Sequence, residues 1–160
     1  MEENKRNFLL DVDGVLTNGK FIYNSNGKIM KMFGAHDNDG LKLIKDKLNI
    51  SFITSDKRGF EISKRRINDM GFNLVYCDED EKYEYVNQNY NLKALIYMAD
   101  GYHDIKILKN CFYSIAPKNA LDIVKDASKY ITTREGGDGA VFEACLQLHY
   151  KLNLDAFQHL

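Results

Sequence analysis

The sequence has little of what marks a linker, a cysteine metal cluster or a polyanion-binding surface. It holds one proline in 160 residues, and no proline-rich stretch divides it, so one domain over residues 1–160 is expected. Its three cysteines, Cys77, Cys111 and Cys145, lie far apart without metal-ligand spacing, which indicates buried free thiols in a reducing compartment. A net charge of −1 provides no basic field for nucleic acid and no polybasic membrane patch.

Long apolar runs are also missing. The first apolar run, at residues 8–10, is cut short by Asp11, which argues against a secretory signal, and no run approaches a membrane span. We therefore expect a cytoplasmic protein with no membrane or nucleic-acid partner. Apolar residues still make up 44% of the chain, with ten tyrosines and nine phenylalanines, which is enough for a folded core.

Strand-like and helix-like segments alternate, which predicts an α/β fold with a parallel sheet and helices on both faces. After the first strand, two runs at residues 20–23 and 28–32 flank an Asn-Gly pair, a strong β-hairpin signal. The other predicted strands are 50–53, 74–76, 94–98, 111–115 and 130–132. The predicted helices are 41–48, 62–70, 83–90, 105–108, 119–127 with Asn119 as the N-cap, and 139–150.

Two acidic residues directly after the first apolar run carry the main chemical signal. Asp11 and Asp13 stand one residue apart, just before Gly14. Buried carboxylates are costly without a partner, and a divalent cation takes carboxylate and carbonyl oxygens. Asp11 could then attack phosphorus and form an aspartyl phosphate, while Asp13 passes a proton to the leaving oxygen. The alternative is an ordinary Asp-Gly turn after a strand.

Further polar residues follow other predicted strands. Asp100 follows the strand at 94–98 and could complete a metal site with Asp11. Asp104 falls in the first turn of the next helix, where an acidic residue is favourable without any ligand. Ligands of open α/β sheets bind beyond the carboxyl ends of the strands, which favours an active site at this edge.

The same edge offers groups suited to a phosphate. Thr54 and Ser55 end the strand at 50–53 and present hydroxyl and backbone N–H groups. Lys82 follows an acidic loop at the start of a helix and could neutralise phosphate charge. A lysine on an amphipathic helix is also commonly solvated, and that alternative stays open.

In this order, these residues resemble the haloacid dehalogenase superfamily of phosphatases. The specific segment is Asp-x-Asp-Gly-x-x-Thr at residues 11–17, followed by Thr54, Lys82 and an Asp-x-x-x-Asp at residues 100–104. The likeness is greatest to the small branch without a cap domain that includes the 3-deoxy-D-manno-octulosonate 8-phosphate phosphatases. The weaker segments that support this branch are 36–42, 65–71 and 136–141.

This resemblance implies a Rossmann-like fold with a β-hairpin flap, no cap domain, and a Mg²⁺-dependent phosphomonoesterase acting on a small phosphosugar in surface-carbohydrate synthesis. The implied metal ligands are Asp11, the carbonyl of Asp13, Asp100 and Asp104, the last directly or through water. The implied catalytic residues are Asp11, Asp13, Thr54 and Lys82. The expected substrate-binding residues are His36, Thr54, Ser55, Lys57, Arg58 and Lys82, although His36 could instead only end the hairpin.

Some positions depart from the pattern of this branch. Where its members usually carry Gly-Arg after the threonine, this chain has Ser55 and Asp56, and the following loop is about two residues longer. Asp138 and Phe142 replace a basic residue and an arginine. Because arginine suits a carboxylate, these changes favour a neutral or differently charged sugar phosphate over 3-deoxy-D-manno-octulosonate 8-phosphate itself. Lys57 and Arg58 in the longer loop could compensate. The expected substrate class is a nonulosonic- or ulosonic-acid-like or a neutral sugar phosphate.

Two other functions remain open at this point: a catalytically silent oligomerisation module and a receiver-type domain that accepts one phosphoryl group. The intact acids and lysine argue against the first, and an acid pair after the first rather than the third strand argues against the second.

The exposed apolar hairpin, with the family likeness, predicts a homotetramer. The apolar tail residues Leu154, Phe157 and Leu160 could reach a neighbouring active site.

Overall fold

The computed structural model of the chain describes residues 5–156, which form a layered α/β structure. The tail residues Phe157 and Leu160 lie outside the described part. The strands are β1 Asn7–Asp11, β2 Ile22–Asn24, β3 Gly27–Met30, β4 Asn49–Thr54, β5 Asn73–Tyr76, β6 Ile96–Met98, β7 Tyr113–Ala116 and β8 Tyr130–Ile131. The helices are α1 His36–Ile44, α2 Phe60–Asp69, α3 Lys82–Asn89, α4 Ile105–Asn110, α5 Asp122–Asp126 and α6 Ala140–Leu152.

Six of the strands form one parallel sheet in the order β5-β4-β1-β6-β7-β8. Strand β1 lies in the interior of this sheet, with β4 on one side and β6 on the other. The parallel sheet and the alternation of strands and helices confirm the predicted fold class.

The central strands are covered on both faces. Phe8 and Leu10 of β1 pack into one apolar cluster with side chains of α1, α2 and α6. Leu9 lies between them in sequence and packs with Tyr97 and side chains of α3, α4 and α5 in a second cluster. This follows from the two-residue period of a strand, which sends successive side chains to opposite faces. Each fully buried side chain of this size contributes roughly 1.5–3 kcal/mol to folding.

Helices α1 and α6 pack closely on one face of the sheet. A Cβ atom at Gly40 would lie 2.7 Å from the Cα atom of Phe142, so glycine permits this approach. The Asp37 Oδ1 atom accepts hydrogen bonds from the backbone N–H groups of Val141 (3.1 Å) and Phe142 (3.3 Å). Asp37 therefore caps the first turn of α6 from a different helix.

The predicted hairpin is present between β1 and α1. Strands β2 and β3 pair antiparallel, with Ile22 opposite Met30. The ribbon exposes Phe21, Ile22, Tyr23, Ile29, Met30 and Met32. Within residues 5–156 this hairpin is the insertion between β1 and α1, and no cap domain is present there.

Two predictions about individual residues have different outcomes. Cys77, Cys111 and Cys145 are buried free thiols, as expected. Asn119 does not cap a helix as predicted, because α5 begins later, at Asp122, and its first turn has no side-chain cap.

No helix within the described range 5–156 is both long and apolar enough to cross a bilayer.

Candidate active site

The predicted site residues meet at the carboxyl edge of the sheet. Asp11 ends β1 and Thr54 ends the neighbouring β4. Asp100 follows β6, the other neighbour of β1. The parallel arrangement therefore gathers side chains that are far apart in sequence.

A cavity of about 510 Å³ opens at this edge. Its lining includes nine of the predicted site residues: Asp11, Asp13, Thr54, Ser55, Lys57, Arg58, Lys82, Asp100 and Asp104. Phe21 and Tyr23 add an aromatic wall from the hairpin. The hairpin thus borders the active site in the manner of a flap.

Gly14 permits the close approach of the first and fourth motifs. Its φ angle is +80°, a left-handed conformation that side chains disfavour. A Cβ atom there would also lie 1.8 Å from the Asp100 Oδ2 atom. Glycine is therefore required for Asp100 to lie against the turn that follows β1.

Lys82 is buried at the first position of α3, and not solvated. Its Nζ atom lies 3.1 Å from Asp11 Oδ1 and 2.8 Å from Asp104 Oδ1. The Tyr97 hydroxyl donates a further hydrogen bond of 2.6 Å to the same Asp104 oxygen. Burial alone would lower the pKa of Lys82, but Asp11 and Asp104 outweigh it and raise that pKa above its ordinary value. Lys82 is therefore a fixed positive charge beside Asp11.

The negative charges at the site exceed the positive ones. The pKa of Asp11 is raised to about 8, chiefly by burial, against the attraction of Lys82 and with repulsion from Asp104, Asp100 and Asp13 contributing to the rise. Burial also raises the pKa of Asp100 to about 7, with repulsion from Asp104 adding to it. A bound cation would remove this penalty.

The donor groups fit a hard divalent cation. Of the four carboxylates named so far at the site, those of Asp11 and Asp104 share the ammonium group of Lys82 and that of Asp13 contacts Lys31. Asp100 contacts neither ammonium group, so the acids outnumber the lysines that pair with them. Within residues 5–156, no three His, Cys, Asp or Glu side chains are placed to hold a metal ion by themselves. A site formed by the carboxylates of Asp11 and Asp100 and the carbonyl oxygen of Asp13 needs only two ligating side chains. A cation bound there would also offset the excess of acids, so the site agrees with both observations. Asp104 is engaged by Lys82 and Tyr97, so its role as a ligand stays a prediction.

A second lysine, which the sequence reasoning did not identify, holds Asp13. The Lys31 Nζ atom is 2.8 Å from the Asp13 carboxylate, 2.7 Å from Asp56 Oδ2 and 2.8 Å from Ser63 Oγ. Lys28 also forms an ion pair with Asp56. Burial raises the pKa of Asp13, and the hydrogen bond from Lys31 moderates that rise.

Thr54 and Ser55 lie where a phosphate would meet β4. The Thr54 Oγ1 atom accepts a hydrogen bond of 3.1 Å from the Asp56 backbone N–H, which shapes the turn after the strand. The Ser55 Oγ atom is buried and has no hydrogen-bond partner within residues 5–156. Ser55 therefore keeps a polar group available at the cavity.

The structure does not place His36 at the cavity lined by the other site residues, and its contact with substrate stays a prediction. It begins α1 with its side chain 80% exposed, 4.0 Å from Asp39, and it is absent from the cavity lining. The helix start turns its side chain towards solvent.

The structural basis for expecting a neutral sugar is also weak. Asp56 does not add uncompensated charge, because Lys28 and Lys31 both pair with it and lower its pKa against the effect of burial. Asp138 is exposed, and neither it nor Phe142 lines the cavity. Lys57 and Arg58 do line it and have no ion-pair partner within residues 5–156.

Asn119 joins the catalytic turn to the glycine-rich segment before α6. Its Nδ2 atom donates to the Gly14 carbonyl at 2.9 Å, and its Oδ1 atom accepts from the Gly136 N–H at 2.6 Å. A Cβ atom at Gly136 would lie 2.0 Å from the Gly14 carbonyl oxygen. This explains the glycine at residue 136 as a requirement of close packing.

Comparison with known proteins gives consistent matches. The sequence profile of the haloacid dehalogenase-like hydrolase family matches residues 23–144. The 3-deoxy-D-manno-octulosonate 8-phosphate phosphatase of Haemophilus influenzae is 32% identical over 146 residues, covering 88% of this chain and 81% of that protein. The Escherichia coli K12 phosphatase of the same name is 27% identical over 149 residues, covering 89% and 78%.

Solved structures match over nearly the whole chain. The same phosphatase from Moraxella catarrhalis, in complex with magnesium ion, phosphate ion and KDO, has a TM-score of 0.81 and 31% identity, covering 96% of this chain and 91% of that chain. The cobalt-bound form from Haemophilus influenzae has a TM-score of 0.80 and 26% identity, covering 97% and 94%.

The sequence resemblance and the expected enzyme class, a phosphatase, are confirmed by these comparisons. The profile match covers more than half of the chain, and the fold agrees with the solved structures over almost all of it. The chain therefore belongs to the haloacid dehalogenase-like hydrolases.

Proposed function

We propose that this protein is a Mg²⁺-dependent phosphomonoesterase that hydrolyses a small phosphosugar through an aspartyl phosphate on Asp11. The observation that carries the proposal is the contact of 3.1 Å between buried Lys82 and Asp11 at an open cavity. Structural charge pairs have no need of a cavity, whereas a nucleophile does. The relatives support both the metal and the substrate class, since one of them is a complex with magnesium, phosphate and KDO.

The residues present suffice for both half-reactions. In the first, a bond forms between phosphorus and an Asp11 oxygen, the bond to the sugar oxygen breaks, and Asp13 gives its proton to that oxygen. In the second, Asp13 takes a proton from water, which attacks phosphorus and releases phosphate and Asp11. Lys82, Thr54 and Ser55 hold the phosphoryl oxygens. Mg²⁺ bound by Asp11, Asp100 and the Asp13 carbonyl would neutralise the charge of the transferring group.

For the sugar, we propose a phosphate that carries a second anionic group, as a ulosonic or nonulosonic acid does. Lys57 and Arg58 border the cavity without ion-pair partners among residues 5–156, and Asp56 is neutralised. An arginine and a lysine are suited to bind a carboxylate. This reverses the preference for a neutral sugar, which rested on charges near the site.

The test is phosphate release from a panel of sugar phosphates, with and without Mg²⁺. Acid sugars such as octulosonate 8-phosphate are compared with hexose and heptose phosphates. Repeated Mg²⁺-dependent turnover supports the proposal. Release of one equivalent would indicate a receiver-type domain, and no release from any phosphate ester would indicate a silent module. A higher kcat/KM for neutral sugars would overturn the substrate assignment alone.

A further inference from the structure

The ammonium group of Lys31 is fully used by three acceptors. The side chain is buried, and its Nζ atom contacts Asp13, Asp56 and Ser63 at 2.7–2.8 Å. A lysine has three N–H donors and no acceptor, so no donor remains for substrate or water. Lys31 is thus a fixed structural charge whose one partner in the proposed chemistry is Asp13.

Asp13 depends on such a partner for its orientation. It lies in the turn after β1, outside any helix or strand, and its side chain is 18% exposed towards the cavity. Lys31 follows β3 of the hairpin, while Ser63 lies in α2 and Asp56 in the loop after β4. The orientation of the Asp13 carboxylate is therefore set by a contact network that joins the hairpin, α2 and the loop after β4.

We propose that Lys31 is a positioning residue for proton transfer, which holds the Asp13 carboxyl group where it protonates the leaving sugar oxygen. This rests on the proposed phosphatase function. It makes the hairpin part of the catalytic apparatus as well as a wall of the cavity. An error of about 1 Å in the position of a catalytic group can cost roughly a hundredfold in rate.

The choice of leaving group separates positioning from a general structural role. A sugar alkoxide leaves poorly unless it receives the proton of Asp13, whereas p-nitrophenolate is a stable anion that leaves without one. Loss of proton transfer slows the sugar phosphate much more than p-nitrophenyl phosphate. General damage to the fold or to metal binding slows both equally.

The experiment compares Lys31→Met with Lys28→Met as the matched control. Both remove a lysine of the hairpin that pairs with Asp56, but only Lys31 also contacts Asp13. For Lys31→Met, kcat for the sugar phosphate should fall roughly a hundredfold, with a much smaller fall for p-nitrophenyl phosphate. For Lys28→Met, the ratio of the two rates should stay that of the unmodified protein, whatever happens to KM.

A second variant covers the case in which Lys31→Met fails to fold, as thermal melting would reveal. Ser63→Ala removes one acceptor that holds Lys31 and leaves the charges of Lys31 and Asp13 in place. Ser63→Ala should lower the ratio of the sugar phosphate rate to the p-nitrophenyl phosphate rate, by a smaller factor than Lys31→Met. Equal losses for both substrates in the folded variants would overturn the role of Lys31. An unmodified protein that hydrolyses neither substrate would instead overturn the proposed function.

Discussion

Asp11 and Lys82 are a buried charge pair whose acid partner is also the proposed nucleophile. An amide in place of the carboxylate has nearly the same shape but cannot form an acyl phosphate. Asp11→Asn should therefore lose turnover by roughly 10⁴-fold or more, the scale seen when a covalent nucleophile is removed. Phosphate release and the melting temperature are the measurements, and the fold should persist because a repelling charge is removed.

Asp122→Asn is the matched control for this substitution. Asp122 begins α5 with its side chain 96% exposed and paired with Lys125. Its replacement should leave turnover unchanged. Near-normal turnover by Asp11→Asn would refute the nucleophile assignment.

The protonation of the same acids should make metal-free stability depend on pH. The folded pKa of Asp11 is raised from 3.8 to about 8, and that of Asp100 from 3.8 to about 7. Protonated acids therefore favour the folded state, and their contribution is lost as pH rises through about 7–8. In chelator, the melting temperature should fall between pH 6 and pH 8 more than it does for Asp11→Asn.

Stabilisation of the fold by bound Mg²⁺ should depend on pH in the opposite direction, increasing as pH rises. At pH 6 it competes with protons on Asp11 and Asp100, and at pH 8 it meets carboxylates. The rise in melting temperature on adding Mg²⁺ should therefore be larger at pH 8. Thermal melts with and without Mg²⁺ measure this, and an equal rise at both values of pH would contradict the raised pKa values.

At the scale of elements, the turn after β1 depends on the missing side chain of Gly14. Gly14→Ala would place a methyl group on Asp100 and also strain a positive φ angle, whose cost alone is roughly 1–2 kcal/mol. Gly71→Ala is the matched control, because its φ angle is +83° and a Cβ atom there meets nothing within 4 Å. Both should lose stability, but only Gly14→Ala should require more Mg²⁺ for activity. A metal titration of activity checks this, and equal metal requirements would argue against the Asp100 ligand.

Elements also explain which site residues sequence can predict. Asp11 and Thr54 end their strands and Asp100 lies two residues after one, and the rule that parallel strands share one carboxyl edge brings them together. Lys31 meets Asp56 and Ser63 because the hairpin lies beside α2 and the loop after β4, and nothing in the spacing of residues 28–63 specifies that placement. The cavity lining lacks His36 for a related reason, since adjacency to the hairpin does not say which way the start of α1 faces.

At the scale of the whole molecule, the hairpin is expected to be covered by other copies of the chain. Tyr23, Met30 and Met32 are each at least half exposed on this ribbon, a pattern that favours association. We propose a homotetramer assembled through this surface. The combined change Met30→Glu and Met32→Glu should yield smaller species by light scattering, because charges would be buried at the interface.

Ile123→Glu serves as the matched control for the assembly. Ile123 lies on α5, away from the hairpin, and is 60% exposed. This variant should keep the native assembly. A monomer for the unmodified protein at micromolar concentration would contradict the proposed tetramer, and an intact tetramer for the double glutamate variant would place the interface elsewhere.

The bond of Asn119 to Gly14 spans 105 positions of the chain, and Gly136 lies 17 positions further on. During synthesis the segment with Asp11 leaves the ribosome well before the residues that clamp its turn. Contacts of such long range form late in folding, because the chain between them must be ordered first. A nascent or truncated chain that ends before Gly136 therefore holds every acid of the catalytic motif without the clamp that shapes it. We therefore expect hydrolytic activity only from chains that extend through Gly136.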